Sequence, residues 1–150
     1  MLPIAAMIDH AAPDPQTVIA IATAFATALD SDDFIGAGPL IADACVYDTG
    51  REVLTGRAAI LASYADATAW AHSKFDDVRY ESEIENVTGA TATVRYTDYL
   101  VKAGGKFHRH RCRQDVTVGV DGMIARIVHR EIAGERESLD VFLRTCGIER

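Results

Sequence analysis

Apolar residues recur at helical spacing in the first half of the chain and at alternate positions in the second half. The first periodic segment runs from Pro15 to near Asp30 and predicts an amphipathic helix. Glycine and proline interrupt a shorter helical segment at 33–41, and a third helix is expected over 58–70 with Thr55 as its N-cap. The predicted helices therefore precede most of the predicted strands.

From Val78 onward the period changes to two, which predicts strands with one buried and one solvated face. A short strand at 44–47 precedes them, and helical spacing returns near the C-terminus before Gly147. The long strands are expected to begin at Val78 and then to cover 90–101, 107–120 and 123–132, and the terminal helix is expected at 135–146.

Two turns predict the register of these strands. Asp121-Gly122 favours a two-residue hairpin, and a three-residue loop is expected within 102–106. A slip of one residue would send every side chain to the opposite face. The pairs expected are Val118 with Ala125, Val116 with Ile127, Gln114 with His129, Cys112 with Glu131, Asp98 with His110 and Tyr96 with Cys112.

Polar side chains interrupt the apolar face of this predicted sheet. Polar groups in a mostly Val and Ile surface are where a ligand is oriented. The expected cavity wall combines Val94, Val116 and Ile127 with the candidate ligand-binding residues Tyr96, Asp98, His110, Gln114 and His129.

The opposite face of the sheet is rich in arginine. A broad sheet face needs a cover or strong charge, which predicts a homodimer through this surface. We also expect Asp115 to pair diagonally with an arginine. The arginines expected on it are Arg95, Arg109, Arg111, Arg113 and Arg126.

Composition limits the function classes. The 150 residues carry 22 acidic and 15 basic side chains and a formal charge of −7, which disfavours nucleic acid as a partner. No apolar run reaches the length of a membrane span, and residues 1–13 are expected to form a flexible segment without a signal-peptide layout. Three scattered cysteines favour a reducing, cytoplasmic setting. One domain spanning 1–150 is expected.

Several motifs resemble one superfamily. The segments Ile41–Asp48 and Leu54–Ile60, the residue Tyr64, and the turn Asp121–Ile124 resemble the ketosteroid isomerase and SnoaL-like branch of the NTF2-like proteins. The resemblance implies an α+β cone, in which a curved antiparallel sheet wraps around N-terminal helices and encloses a central pocket. It also implies a small apolar organic ligand, with no cofactor and no metal.

The resemblance implies Asp48 as one candidate catalytic residue. It falls where the isomerases keep the carboxylate that moves a proton beside a carbonyl. Two other isomerase positions differ, because Phe25 stands where those enzymes have a tyrosine and Val116 where they have a second acid. Alternatively, Asp48 ends a strand and forms an Asx-turn with Thr49-Gly50.

The second candidate is a pair formed by Asp30 and His72. In the dehydratase-like branch, an aspartate at the end of the first helix orients a histidine at the start of the first long strand, and the imidazole removes a proton. Asp30 and His72 resemble those positions. Alternatively, Asp30 only ends its helix and His72 is a solvated residue after a helix terminus.

Two classes of function follow from these residues. One is a cofactor-independent lyase or isomerase that moves a proton on an apolar carbonyl or hydroxyl compound. The other is a binding or accessory domain that uses the same pocket without catalysis. An enzyme needs a proton-transfer group within reach of the ligand, whereas a binder needs only shape and a few polar anchors.

Overall fold

A computed structural model describes residues 13–150, so the expectation for residues 1–12 lies outside the described residues. Helices come first and the long strands follow, as predicted. No helix in the described part of the chain is long and apolar enough to cross a membrane. The elements are α1 (Pro15–Asp30), α2 (Phe34–Ala37), a 3-10 turn (Gly38–Leu40), β1 (Ile41–Asp48), β2 (Val53–Thr55), α3 (Arg57–Lys74), β3 (Asp77–Thr88), β4 (Thr91–Lys102), β5 (Lys106–Val118), β6 (Ile124–Glu131) and α4 (Glu135–Thr145).

The six strands form one curved, open sheet in the order β2-β1-β6-β5-β4-β3. The pairs β3 with β4, β4 with β5, β5 with β6 and β1 with β2 are antiparallel. β1 and β6 run parallel, so the sheet is mixed rather than antiparallel throughout. The parallel pair is possible because most of the chain lies between these two strands.

The predicted register is confirmed along most of the long strands. Asp98 lies opposite His110, Tyr96 opposite Cys112, and Gln114 opposite His129. The turn near Asp121 differs, because the N–H of Gly119 donates to the carbonyl of Met123 at 2.8 Å and makes the loop longer than two residues.

This longer loop changes the register only near the turn. Val118 lies opposite Ile124 rather than Ala125, and a bulge between Thr117 and Val118 absorbs the difference. Residues beyond the bulge therefore keep the predicted faces, with Val116 opposite Ile127.

α3 differs from its predicted bounds at both ends. Thr55 belongs to β2, and Gly56 at φ 99 occupies the N-cap position without a side-chain hydrogen bond. The helix continues to Lys74, so His72 lies in its last turn and does not begin a strand.

The core lies between α1 and the concave face of the sheet. Asp14 caps α1 by accepting a hydrogen bond from the N–H of Thr17 at 2.8 Å, and Pro15 fits the first turn. Phe25 on the inner face of the helix is fully buried, as is Val116 on β5. Burial of such side chains stabilises this end of the cone by about 2 kcal/mol each.

The convex face of the sheet carries ion pairs within the chain. Arg113 Nε donates to Glu85 at 2.6 Å, and Arg130 reaches Asp115 diagonally at 2.8 Å, as predicted. Arg95 lies between Glu83 and Glu85. Arg111 and Arg113 therefore belong to the outside of the cone, as the register predicts.

Candidate functional site

A cavity of about 340 Å³ lies inside the cone between two apolar clusters. Along β4, Val94 belongs to the main core, Tyr96 and Asp98 face the cavity, and Leu100 belongs to the second cluster. Phe142 and Leu143 of α4 complete that second cluster. The remaining lining residues come mainly from the end of α1, from α3 and from β5.

All five residues predicted from strand alternation to bind a ligand line this cavity. They are Tyr96, Asp98, His110, Gln114 and His129. Val94, Val116 and Ile127 share their face but are fully buried in the main core instead. The polar part of the inner face therefore borders the cavity, and the aliphatic part packs against α1.

Asp98 is a lining group whose ionisation falls near neutral pH. Burial raises its pKa to about 7, and the negative charge of Asp30 contributes to the increase. Burial likewise raises the pKa of Asp30, although the Ser82 hydroxyl donates to Asp30 Oδ2 at 2.5 Å and opposes this rise. With Asp32, these two residues make three carboxyl groups that line one mostly apolar cavity.

The predicted pairing of Asp30 with His72 is wrong. His72 Nε2 lies 3.1 Å from Asp32 Oδ2, and half of the His72 side chain is exposed. Asp30 bonds to Ser82 because α1 ends against β3, whereas His72 occupies the last turn of α3 at the rim. Of the predicted pair, only Asp30 lines the cavity.

Asp48 does not line the cavity. Its carboxylate accepts a hydrogen bond from the N–H of Gly50 at 2.9 Å, which is the Asx-turn considered as the alternative. Tyr47 is buried and lines the cavity, so strand alternation turns the side chain of Asp48 to the other face of β1.

The amide of Gln114 connects three side chains of the cavity wall. The Tyr64 hydroxyl donates to Gln114 Oε1 at 2.7 Å, and Gln114 Nε2 donates to the Tyr47 hydroxyl at 2.9 Å. Gln114 Nε2 also lies 3.4 Å from His129 Nδ1. This network positions the two stacked tyrosine rings, whose centroids are 5.2 Å apart.

Burial favours the uncharged forms of the histidine and cysteine side chains that line the cavity. Burial lowers the pKa of His110 and of His129, which favours the neutral imidazole. Burial raises the pKa of the Cys112 thiol to about 12, so this cysteine is a poor nucleophile. In the described range, no three His, Cys, Asp or Glu residues are arranged to hold a metal ion.

Tyr47 and Asp32 are two of the lining residues that were not predicted as ligand contacts. Tyr47 was part of a motif, and the alternation of buried Cys45 and Tyr47 along β1 was the signal that could have identified its inward orientation. Asp32 lies after α1 in the left-handed region, with φ 55. No periodic pattern predicts where such a loop residue points.

No protein-family model matches the chain, and no curated protein matches it by sequence. Solved structures match its fold. An LEH-like epoxide hydrolase from M. tuberculosis is 20% identical, with a TM-score of 0.64 and coverage of 89% of this chain and 96% of that chain. A putative polyketide cyclase from Xanthomonas campestris is 19% identical, with a TM-score of 0.62 and coverage of 85% and 97%.

A second putative polyketide cyclase, from Sinorhizobium meliloti, is 22% identical, with a TM-score of 0.60 and coverage of 73% of this chain and 93% of that chain. These proteins have SnoaL-like, NTF2-like folds. The chain therefore has the NTF2-like α+β fold, which confirms the fold that its motifs implied.

Proposed function

We propose that the protein is a cofactor-independent lyase or isomerase that moves a proton on a small apolar carbonyl or hydroxyl compound, with Asp98 as the transfer group. The observation that carries this proposal is a buried carboxyl group with a pKa of about 7 inside a mostly apolar cavity. A group that titrates near the working pH serves well both as acid and as base.

Tyr96 supplies the complementary group in this proposal. Its hydroxyl is buried without a hydrogen-bond partner among residues 13–150, and burial keeps the pKa of the phenol well above its usual value. A neutral phenol in this position can donate a hydrogen bond to a substrate oxygen. Since such a bond strengthens as negative charge develops on the oxygen, it would stabilise an enolate.

The reaction then needs only one acid-base residue. Ionised Asp98 removes a proton from the carbon next to a carbonyl, and the electron pair moves to the oxygen held by Tyr96. Protonated Asp98 returns the proton to another carbon in an isomerisation, or to a departing hydroxyl group in an elimination. Asp30 favours this cycle because its charge holds the pKa of Asp98 high.

Carbon-bound deuterium incorporation tests the proposal without knowledge of the natural substrate. We would incubate 2-tetralone with the protein in deuterium oxide and follow loss of the proton signal beside the carbonyl by NMR. Catalysed exchange should exceed the buffer rate, and Asp98→Asn should reduce it by about a hundredfold to ten-thousandfold. Asp66→Asn, which removes an exposed carboxylate of α3 outside the cavity, is the matched control.

Equal exchange by the wild type and Asp98→Asn would contradict the assigned role of Asp98. Saturable binding of 2-tetralone without catalysed exchange would favour the non-catalytic binding domain, the second function class considered above. The neighbours named as cyclases and an epoxide hydrolase make phenolic polyketides and epoxides sensible next probes.

We also propose that two copies associate through the convex face of the sheet. On this face, Thr97 in the middle of β4 is buried, and Phe107 near the start of β5 is 58% exposed. Arg95, Arg111 and Arg113 on this face already have acidic partners within the chain, so a second copy would bury these charges as pairs.

A reducing compartment such as the cytoplasm is the proposed location. Cys45, Cys112 and Cys146 are all free thiols, which suits a compartment where disulfides are rare.

A further inference from the structure

The charged groups that line the cavity all have the same sign. They are Asp30, Asp32 and Asp98, and no lysine or arginine is among the lining residues described. Burial favours the neutral form of the two lining histidines. The carboxylates would therefore repel an anionic ligand, and no lining lysine or arginine offsets this repulsion.

Asp30 and Asp32 each hold one carboxylate oxygen in place and leave the other unused. Asp30 Oδ2 accepts from the Ser82 hydroxyl at 2.5 Å, and Asp32 Oδ2 lies 3.1 Å from His72 Nε2. Asp30 Oδ1 and Asp32 Oδ1 are both buried, without a hydrogen-bond partner among the described residues. Buried carboxylate oxygens normally find a donor, because leaving them unpaired costs free energy.

The position of these two oxygens also favours a positive charge. Asp30 is the last residue of α1, and the negative end of a helix dipole attracts cations within its last turn. Aromatic rings share the cavity wall, and their faces attract organic cations. Those rings belong to Phe34, Tyr47, Tyr64, Trp70, Phe75, Tyr80 and Tyr96.

We infer that Asp30 Oδ1 and Asp32 Oδ1 form an anchor for a protonated amine, so that the ligand of this cavity is an amine-bearing compound. The ammonium group donates hydrogen bonds to both oxygens, and the carbon skeleton occupies the aromatic part of the cavity. This inference rests on the proposed function for the reacting end of the ligand, because the amine is held at α1 while the carbonyl or hydroxyl group faces Asp98.

Three bicyclic probes of one skeleton test the anchor by binding alone. 2-Aminotetralin is a cation at pH 7.5, 2-tetralol is neutral, and tetralin-2-carboxylate is an anion. Trp70 is the single tryptophan of the chain and lines the cavity, so its fluorescence reports occupancy. At low salt we expect the amine to bind at least tenfold more tightly than the alcohol, and the carboxylate more weakly than either.

The double variant Asp30→Asn, Asp32→Asn should bring the affinities for amine and alcohol within twofold of each other, while Asp66→Asn keeps the wild-type preference. Circular dichroism checks that the variants fold. Asp32→Asn alone, at the partly exposed rim, is a second variant, and we expect it to lose part of the preference for the amine over the alcohol. Equal binding of amine and alcohol by the wild type, or an unchanged preference in the double variant, would overturn the anchor.

The outcome is separable from that of the proposed function. Deuterium exchange of 2-tetralone depends on Asp98 and involves no amine. Exchange without amine preference would leave the proton-transfer proposal standing and reject the anchor. Amine preference without exchange would keep the anchor and reject the catalytic role of Asp98.

Discussion

Asp30 and Asp98 face the same cavity from different elements, and the charge of one raises the pKa of the other. Asp30 ends α1, while Asp98 lies in the middle of β4. Burial alone would raise the pKa of each carboxyl, and the nearby charge of Asp30 adds to this effect at Asp98. The ionisation of Asp98 therefore affects both the proposed proton transfer and the free energy of unfolding.

The free energy of unfolding should depend on pH through Asp98. The carboxyl keeps its proton to about pH 7 in the folded protein but loses it near 3.8 when unfolded. Stability from this group is fully present below pH 3.8 and is lost as pH rises through 7, by a total of about 4 kcal/mol. Urea unfolding at pH 5 and pH 8 measures the part of this loss that falls between pH 5 and 7, about 3 kcal/mol. Asp98→Asn should lack this part of the pH dependence, and an identical pH dependence in both proteins would contradict the shifted pKa.

Replacement of Asp48 should leave the chemistry of the cavity intact. Asp48→Asn keeps an acceptor for the N–H of Gly50, and the side chain lies outside the cavity. We expect the rate of deuterium exchange into 2-tetralone to stay within about twofold of the wild type, in contrast to the large loss expected for Asp98→Asn. A loss of a hundredfold or more in Asp48→Asn would return the catalytic role to Asp48.

Gln114 should stabilise the fold through its hydrogen bonds to two tyrosines. Gln114→Leu leaves the buried Tyr64 hydroxyl without its acceptor, which should lower the free energy of unfolding by about 1–3 kcal/mol. Tyr64→Phe removes the stranded hydroxyl, so the double variant should be more stable than the sum of the two single losses predicts. Urea unfolding of the four proteins gives this coupling, and strict additivity would contradict the network.

Association through the convex face should be visible by sedimentation. The chain has a mass of 16.2 kDa, and we expect a species of twice that mass at micromolar concentration. Val128→Glu adds a charge to this face beside Asp115 and should shift the protein toward the monomer. Val141→Glu, at an exposed position of α4, is the control. A monomeric wild type at this concentration would reject the dimer.

Strand alternation predicted the sheet side of the cavity because two turns determine the register of β4, β5 and β6. The loop after Lys102 has the predicted length, and the bulge at Thr117 confines the error of the last hairpin to its tip. Asp98 and His110 are therefore opposite each other as expected. Such predictions succeed because side chains of a strand have only two directions available.

The helical side of the cavity was harder to predict because its residues lie at helix ends. α3 runs four residues beyond its predicted end, which places His72 on a helix and within reach of Asp32 rather than Asp30. Sequence spacing locates the end of a helix only to within a few residues. It does not give the direction of a side chain in a loop. The prediction that Asp48 faces the cavity failed for a different reason. It followed a motif match rather than the alternation of side chains along β1.

The C-terminal helix has a consequence for the behaviour of the protein at high concentration. β6 ends opposite Cys112, so the part of β5 from Lys106 to Arg111 has no strand neighbour on that side. α4 packs there, and Glu135 accepts from Arg111 through both the backbone N–H and the guanidinium. The helix thus occupies a sheet edge that would otherwise offer unpaired backbone groups to another chain. Loss of α4 would expose this edge of β5 as a template for aggregation.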